Sequence, residues 1–150
     1  GRFMNSGPSQ LPTGIDRMIV AAKLPGVAPE EAFLWFIIPE RLTRWWTQEA
    51  ETDRRPRGHY VLRWPAMDWE LSGEYLVYEP GTQLSFTWQW AHRPDLPPRT
   101  VDVVFRPATP GTKVIVTHGF YGESALEQDD RQSHIDGWLH FLGRLQEQTA

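Results

Sequence analysis

The segment Trp69–Trp90, WELSGEYLVYEPGTQLSFTWQW, decides the architecture. Trp69, Leu71, Gly73, Tyr75 and Val77 alternate with Glu70, Ser72 and Glu74, a period of two that puts the first set on one face of a half-buried strand. Glu79-Pro80-Gly81-Thr82 is turn chemistry. Beyond it Leu84, Phe86, Trp88 and Trp90 resume the alternation. Two such strands joined by a short turn are an antiparallel hairpin with large rings along one face. A buried aromatic side chain removes about 150–250 Å² from water, or about 4–6 kcal/mol of gross burial at ~25 cal/mol per Å². Eight tryptophans in 150 residues exceed what a small core needs, so the ring-bearing face is expected to wall an apolar cavity.

Outward from the hairpin, the same period continues on both sides. Ala50–Asp53 reads as a short strand, and Tyr60, Leu62 and Trp64 share one face opposite His59, Val61 and Arg63. Downstream, Pro94, Pro97 and Pro98 mark a longer loop. Val101, Val103 and Phe105 then alternate with Asp102 and Arg106, a turn spans 107–111, and Thr112, Val114, Val116 and His118 follow. Successive strands joined by turns predict an antiparallel meander. Near the start, the apolar run within Ile15–Leu24 reads as a first strand. Pro29-Glu30-Glu31 opens a helix, with proline suited to the first position and carboxylates to the positive end of the dipole. Pro39 stops it and starts a second short helix that ends at Trp45-Trp46.

The period changes to 3.6 at the C-terminus. Ser124-Ala125-Leu126-Glu127 has the spacing of a capping box. A helix from there to about Glu147 is about 34 Å long at 1.5 Å per residue, enough to cross a curved sheet. Ile135, Trp138, Leu139, Phe141, Leu142 and Leu145 form its apolar stripe, with Asp136 and His140 opposite. Upstream the stripe continues through Arg131, Gln128 and Glu127, so the first half of the helix is expected to border a wet opening.

Composition excludes several classes. The length suits one domain with a true core, and a net charge of −4 lacks the basic footprint of a nucleic-acid binder. There is no cysteine, hence no thiol nucleophile and no thiolate metal site. No apolar run is long enough to span a bilayer. Residues 1–14 read as a flexible N-terminal segment and 15–147 as the single domain, expected to be cytoplasmic and a monomer or homodimer. No P-loop, dinucleotide fingerprint or nucleophile elbow occurs, so no cofactor is expected. No histidine pair has metal-ligand spacing, so no metal is expected.

Five segments in order, PEEAFLWFIIPERLTRWW (29–46), AETDRRPRGHY (50–60), LSGEYLVYEPGTQLSFTW (71–88), GTKVIVTHGF (111–120) and HIDGWLHFLGRL (134–145), resemble the Hsp90-ATPase-activator-homologue-like family of the START/SRPBCC superfamily. The resemblance covers roughly Ile15–Leu145. It departs from the family at Gly58-His59, where a Gly-Gly pair is common. The resemblance implies an α+β helix-grip fold: a curved antiparallel sheet of six or seven strands around a long C-terminal helix, with two short helices after the first strand. It also implies a hydrophobic cavity between sheet and helix, and it names no reaction, because the superfamily joins lipid carriers, hormone binders, cyclases and co-chaperone domains.

The expected ligand cavity is formed by Trp64, Tyr75, Trp88, Trp90, His118, Arg131 and Trp138. The rings supply apolar wall, and His118 and Tyr75 supply hydrogen bonds. Arg131, above Ile135, offers a guanidinium to a ligand anion. His134 borders the same stripe. No residue is assigned a catalytic role. The leading expectation is therefore binding of a small hydrophobic or aromatic molecule. The alternatives are a cyclase- or hydrolase-type enzyme with His118 as acid/base, and an interaction module similar to the Hsp90 co-chaperone domain.

Overall fold

A computed structural model describes residues 6–150. The elements are β1 (Ser9–Leu11), β2 (Arg17–Leu24), α1 (Pro29–Trp35), α2 (Pro39–Leu42), β3 (Glu49–Thr52), β4 (His59–Trp64), β5 (Trp69–Glu79), β6 (Gln83–Trp90), β7 (Arg99–Pro107), β8 (Thr112–Gly119) and α3 (Ala125–Thr149). The strands form one eight-stranded sheet in the order β1-β2-β8-β7-β6-β5-β4-β3, with every neighbouring pair antiparallel. The chain is thus an α+β protein with the expected order of elements. It has one strand more than expected. Ser9–Leu11 pairs with Ile19–Ala21, so part of the segment read as flexible supplies the edge of the sheet, where backbone hydrogen bonding needs little side-chain pattern. Residues 1–5 of that segment lie outside the described residues.

Alternation in the sequence becomes alternation of burial. Val101, Val103 and Phe105 in β7 and Thr112, Val114, Val116 and His118 in β8 are all buried on the concave face. In β5 the alternation breaks. A register shift between Tyr75 and Val77 turns Tyr78 toward the core, where it meets Phe33 and Tyr75 at 5.2 and 5.6 Å between ring centroids. Val77 is therefore displaced from the inward set, and Trp69, at the first position of the strand, is 40% exposed. A bulge adds one residue and so inverts the phase beyond it.

Two glycines answer close approaches. A Cβ on Gly73 would stand 2.0 Å from the Thr87 carbonyl oxygen. Gly73 lies opposite Tyr60, whose hydroxyl donates to that same carbonyl at 2.5 Å. Gly58 is similarly bound to a tight turn, since a Cβ there would meet the Asp53 carbonyl oxygen at 1.9 Å. His59, the departure from the family's Gly-Gly pair, opens β4 with its ring exposed.

The helices α1 and α2 carry the chain from β2, near one edge, to β3 at the other. Pro29 and Pro39 occupy their first turns. Trp45 and Trp46 follow α2 and enter the core, where Trp45 Nε1 donates to the Trp35 carbonyl at 3.0 Å. Trp46 in turn accepts, through its carbonyl, the indole N–H of Trp64 at 2.9 Å. The long helix α3 is capped by Ser124, which accepts from Glu127 N. It buries Ile135, Trp138, Leu142 and Leu145, and its backbone runs closest to β2 and β1. No helix among the described residues is long and apolar enough to cross a membrane.

Candidate functional site

Because α3 lies against the β1–β2 side, it stands away from the β4–β6 side, and indole rings line the gap. The resulting cleft has a volume of about 480 Å³. Trp64, Trp69, Trp88 and Trp90 come from the sheet, Trp46 from the segment after α2, and Trp138 and Phe141 from α3. Their rings touch one another: Trp46 stacks on Trp88 at 6.0 Å, Trp88 meets Trp90 edge-on at 5.5 Å, and Trp46 packs on Trp138 at 5.1 Å. Gly137 contributes to the wall, and a Cβ there would find no atom within 4 Å. Absence of a side chain at that point leaves room in the cleft.

One flank is polar. Arg99, at the start of β7, is 3% exposed. Its guanidinium donates to Glu127 Oε1 and Oε2 at 3.2 and 2.9 Å, to Asp130 Oδ2 at 3.2 and 2.8 Å, and to the Phe120 carbonyl. It also lies 4.3 Å from the centroid of the Tyr121 ring. Burial opposes the charge on Arg99, but the two carboxylates outweigh it and the pKa is raised. Glu127 is held below the usual carboxylate range by the Arg99 hydrogen bonds and by the Gly122 N–H. A buried charge this well paired is tolerable, whereas an unpaired one is not.

Behind this cluster sit two stacked imidazoles, His118 and His134, 4.4 Å apart and 7° from parallel. Trp138 Nε1 donates to His118 Nδ1 at 3.1 Å, and the Tyr121 hydroxyl and His134 Nδ1 share a hydrogen bond at 2.6 Å. Burial is the first cause lowering both histidine pKa values. His118 is pushed well down, with His134 and Arg99 adding to the effect. His134 falls to about 4, with Asp130 opposing the shift and Arg99 assisting it. Both rings are therefore neutral near pH 7. Burial likewise raises Tyr121, which keeps its proton. His118 is neutral and its Nδ1 accepts, so its Nε2 carries the proton; that group and Trp88 Nε1 are buried donors without partners among the described residues.

The residues expected to form the cavity divide. Trp64, Trp88, Trp90 and Trp138 line the cleft. Tyr75 does not: it lies in a small separate void with Tyr60 and Phe86, and burial raises its pKa. His118 is wholly buried, its ring packed behind Trp88 at 4.5 Å and outside the cleft lining. Arg131 turns to the other side of α3, where Nε donates to the Arg17 carbonyl at 2.9 Å and Nη2 to Thr13 Oγ1 at 3.3 Å. Being on the helix stripe sent it toward β2, not the cleft. The polar lining comes instead from Asp130, Ser133 and His134, with His92 and Arg93 in the loop after β6. Among the described residues, no three His, Asp or Glu side chains converge as a metal site.

The fold has close relatives in shape. A Mesorhizobium loti protein, MLL2253, is 19% identical, with a TM-score of 0.76 over 87% of this chain and 94% of that one. A Rhodobacter sphaeroides protein is 15% identical, with a TM-score of 0.77 over 94% and 97%. DynU16, described as a protein of the dynemicin biosynthetic locus, is 20% identical, with a TM-score of 0.73 over 88% of this chain and 46% of that one. At these identities the likeness is one of fold. None of the curated proteins matches the sequence. The family described as "Activator of Hsp90 ATPase homolog 1-like protein" matches residues 27–149, and the chain belongs to that family.

Proposed function

We propose that this protein binds a small hydrophobic or aromatic molecule in the cleft between β4–β6 and α3. The observation that carries the reading is the cleft of about 480 Å³, which has the size of a small-molecule site and is walled by indoles yet left open by a glycine. A packed core would interdigitate large and small side chains to close such a space. Trp64, Trp88, Trp90 and Trp138 supply the apolar wall, and Asp130, Ser133 and His134 the polar contacts. The binding unit is residues 15–147 with the β1 edge added, acting in the cytoplasm as a monomer or homodimer.

Gly137→Leu is the direct test. The new side chain would enter the cleft without meeting other atoms near its Cβ. A neutral fluorescent probe such as N-phenylnaphthylamine is expected to bind the wild type and to lose at least about tenfold in affinity in the variant, about 1.4 kcal/mol, while the melting temperature does not fall. Undiminished probe binding to a folded Gly137→Leu protein would place the ligand elsewhere.

A second reading, cyclase- or hydrolase-type chemistry, gains one observation. The cleft holds two titratable groups side by side, with His134 Nε2 and Asp130 Oδ1 3.7 Å apart. Acid/base work would then pass from His118 to His134, whose low pKa makes it a weak base near neutrality.

A further inference from the structure

The charges around the cleft do not cancel. Arg93, which lines it, is held by both carboxylate oxygens of Asp95 at 3.2 and 3.1 Å, so that pair is neutral. Arg99 faces two carboxylates, Glu127 and Asp130, so that group carries one surplus negative charge. The side chains are 2%, 18% and 17% exposed respectively, and water screens a charge in such a place far less than one on the surface.

Of the three, Asp130 lines the cleft. Its Oδ2 accepts twice from Arg99. Its Oδ1 accepts no hydrogen bond among the described residues and lies 3.7 Å from His134 Nε2. His134 is neutral near pH 7 and supplies no balancing cation. The remaining wall is mostly indole, whose ring faces carry negative potential and attract cations. An anionic ligand would meet a surplus of its own sign, and to reach Arg93 it would have to displace Asp95.

We propose that the cleft takes an organic cation, a protonated amine on an apolar or aromatic skeleton, whose N–H⁺ donates to Asp130 Oδ1 while the skeleton lies among the indoles. This rests on the ligand-binding reading above and adds the sign of the ligand's charge. Three naphthalene probes substituted at the same ring position, naphthylmethylammonium, naphthylmethanol and naphthoate, separate the two ideas by calorimetry near neutral pH. The ammonium is expected to bind at least about tenfold more tightly than the alcohol, and the naphthoate most weakly. Asp130→Asn is expected to abolish the advantage of the ammonium over the alcohol. Should that variant not fold, the ranking on the wild-type protein decides alone. Equal affinities, or a preference for naphthoate, would overturn the cation proposal and leave the cleft a binding site. Failure of all three to bind would overturn both.

Discussion

At the scale of single residues, Gly73 shows how one hydrogen atom in place of a side chain serves the sheet. The Tyr60 ring crosses it to reach the Thr87 carbonyl, and a methyl group would stand 2.0 Å from that backbone oxygen. Backbone cannot swing aside as a flexible side chain can, so Gly73→Ala is expected to cost at least about 2 kcal/mol, measured by urea denaturation; a loss under about 0.5 kcal/mol would show that the strands slide apart freely. Nothing in LSGEYLVYEP announces this role, because a glycine in phase with leucine and tyrosine reads only as a weak strand position. The tryptophans were more legible. Their alternation placed Trp64, Trp88 and Trp90 on one face, and the structure has all three lining the cleft. Tyr75 shares the phase but sits elsewhere along the face, since period two specifies a side and not a depth.

Among the elements, α3 carries the sharpest division of labour. Arg131, Ile135, Leu142 and Leu145 face β2 and the core, while Asp130, His134, Gly137 and Phe141 turn toward the cleft. The second set has helical spacing too, i, i+4, i+7 and i+11, but its mixed polarity produces no hydrophobic stripe. That is why the sequence points to Arg131 for the cavity and gives no sign of Asp130. Gly137 weakens the helix in exchange for open space. Gly137→Ala is expected to raise stability by about 0.5–1 kcal/mol, because the added methyl meets no neighbour; thermal denaturation measures it. A fall in melting temperature would mean that the cleft closes over this position in solution.

For the molecule as a whole, the buried histidines predict how stability follows pH. His134, at about 4, and His118, pushed well down, both lie below the value of about 6.5 for an unfolded histidine. Between these limits the unfolded chain binds protons that the folded one refuses, so stability is full above about pH 6.5 and falls as pH drops toward 4. The slope reaches about 1.4 kcal/mol per pH unit for each histidine. Glu127, whose carboxylate form is favoured by Arg99, adds a further loss as pH falls through the carboxylate range. Denaturation in urea at pH 7 and pH 5 is expected to differ accordingly, and equal stabilities at the two would mean that these rings are hydrated in the folded state. By itself the sequence determined the strands, the hairpin turns, the two-helix break and the long final helix, because those follow from periods of 2 and 3.6 between residues close along the chain. Only the tertiary structure decided that β1 completes the sheet, that His118 is sealed behind Trp88, and that Arg99 meets carboxylates 28 and 31 positions away. Those outcomes depend on strand register and on how far α3 stands from the sheet, which the packing of large rings sets across the whole fold and no local pattern records.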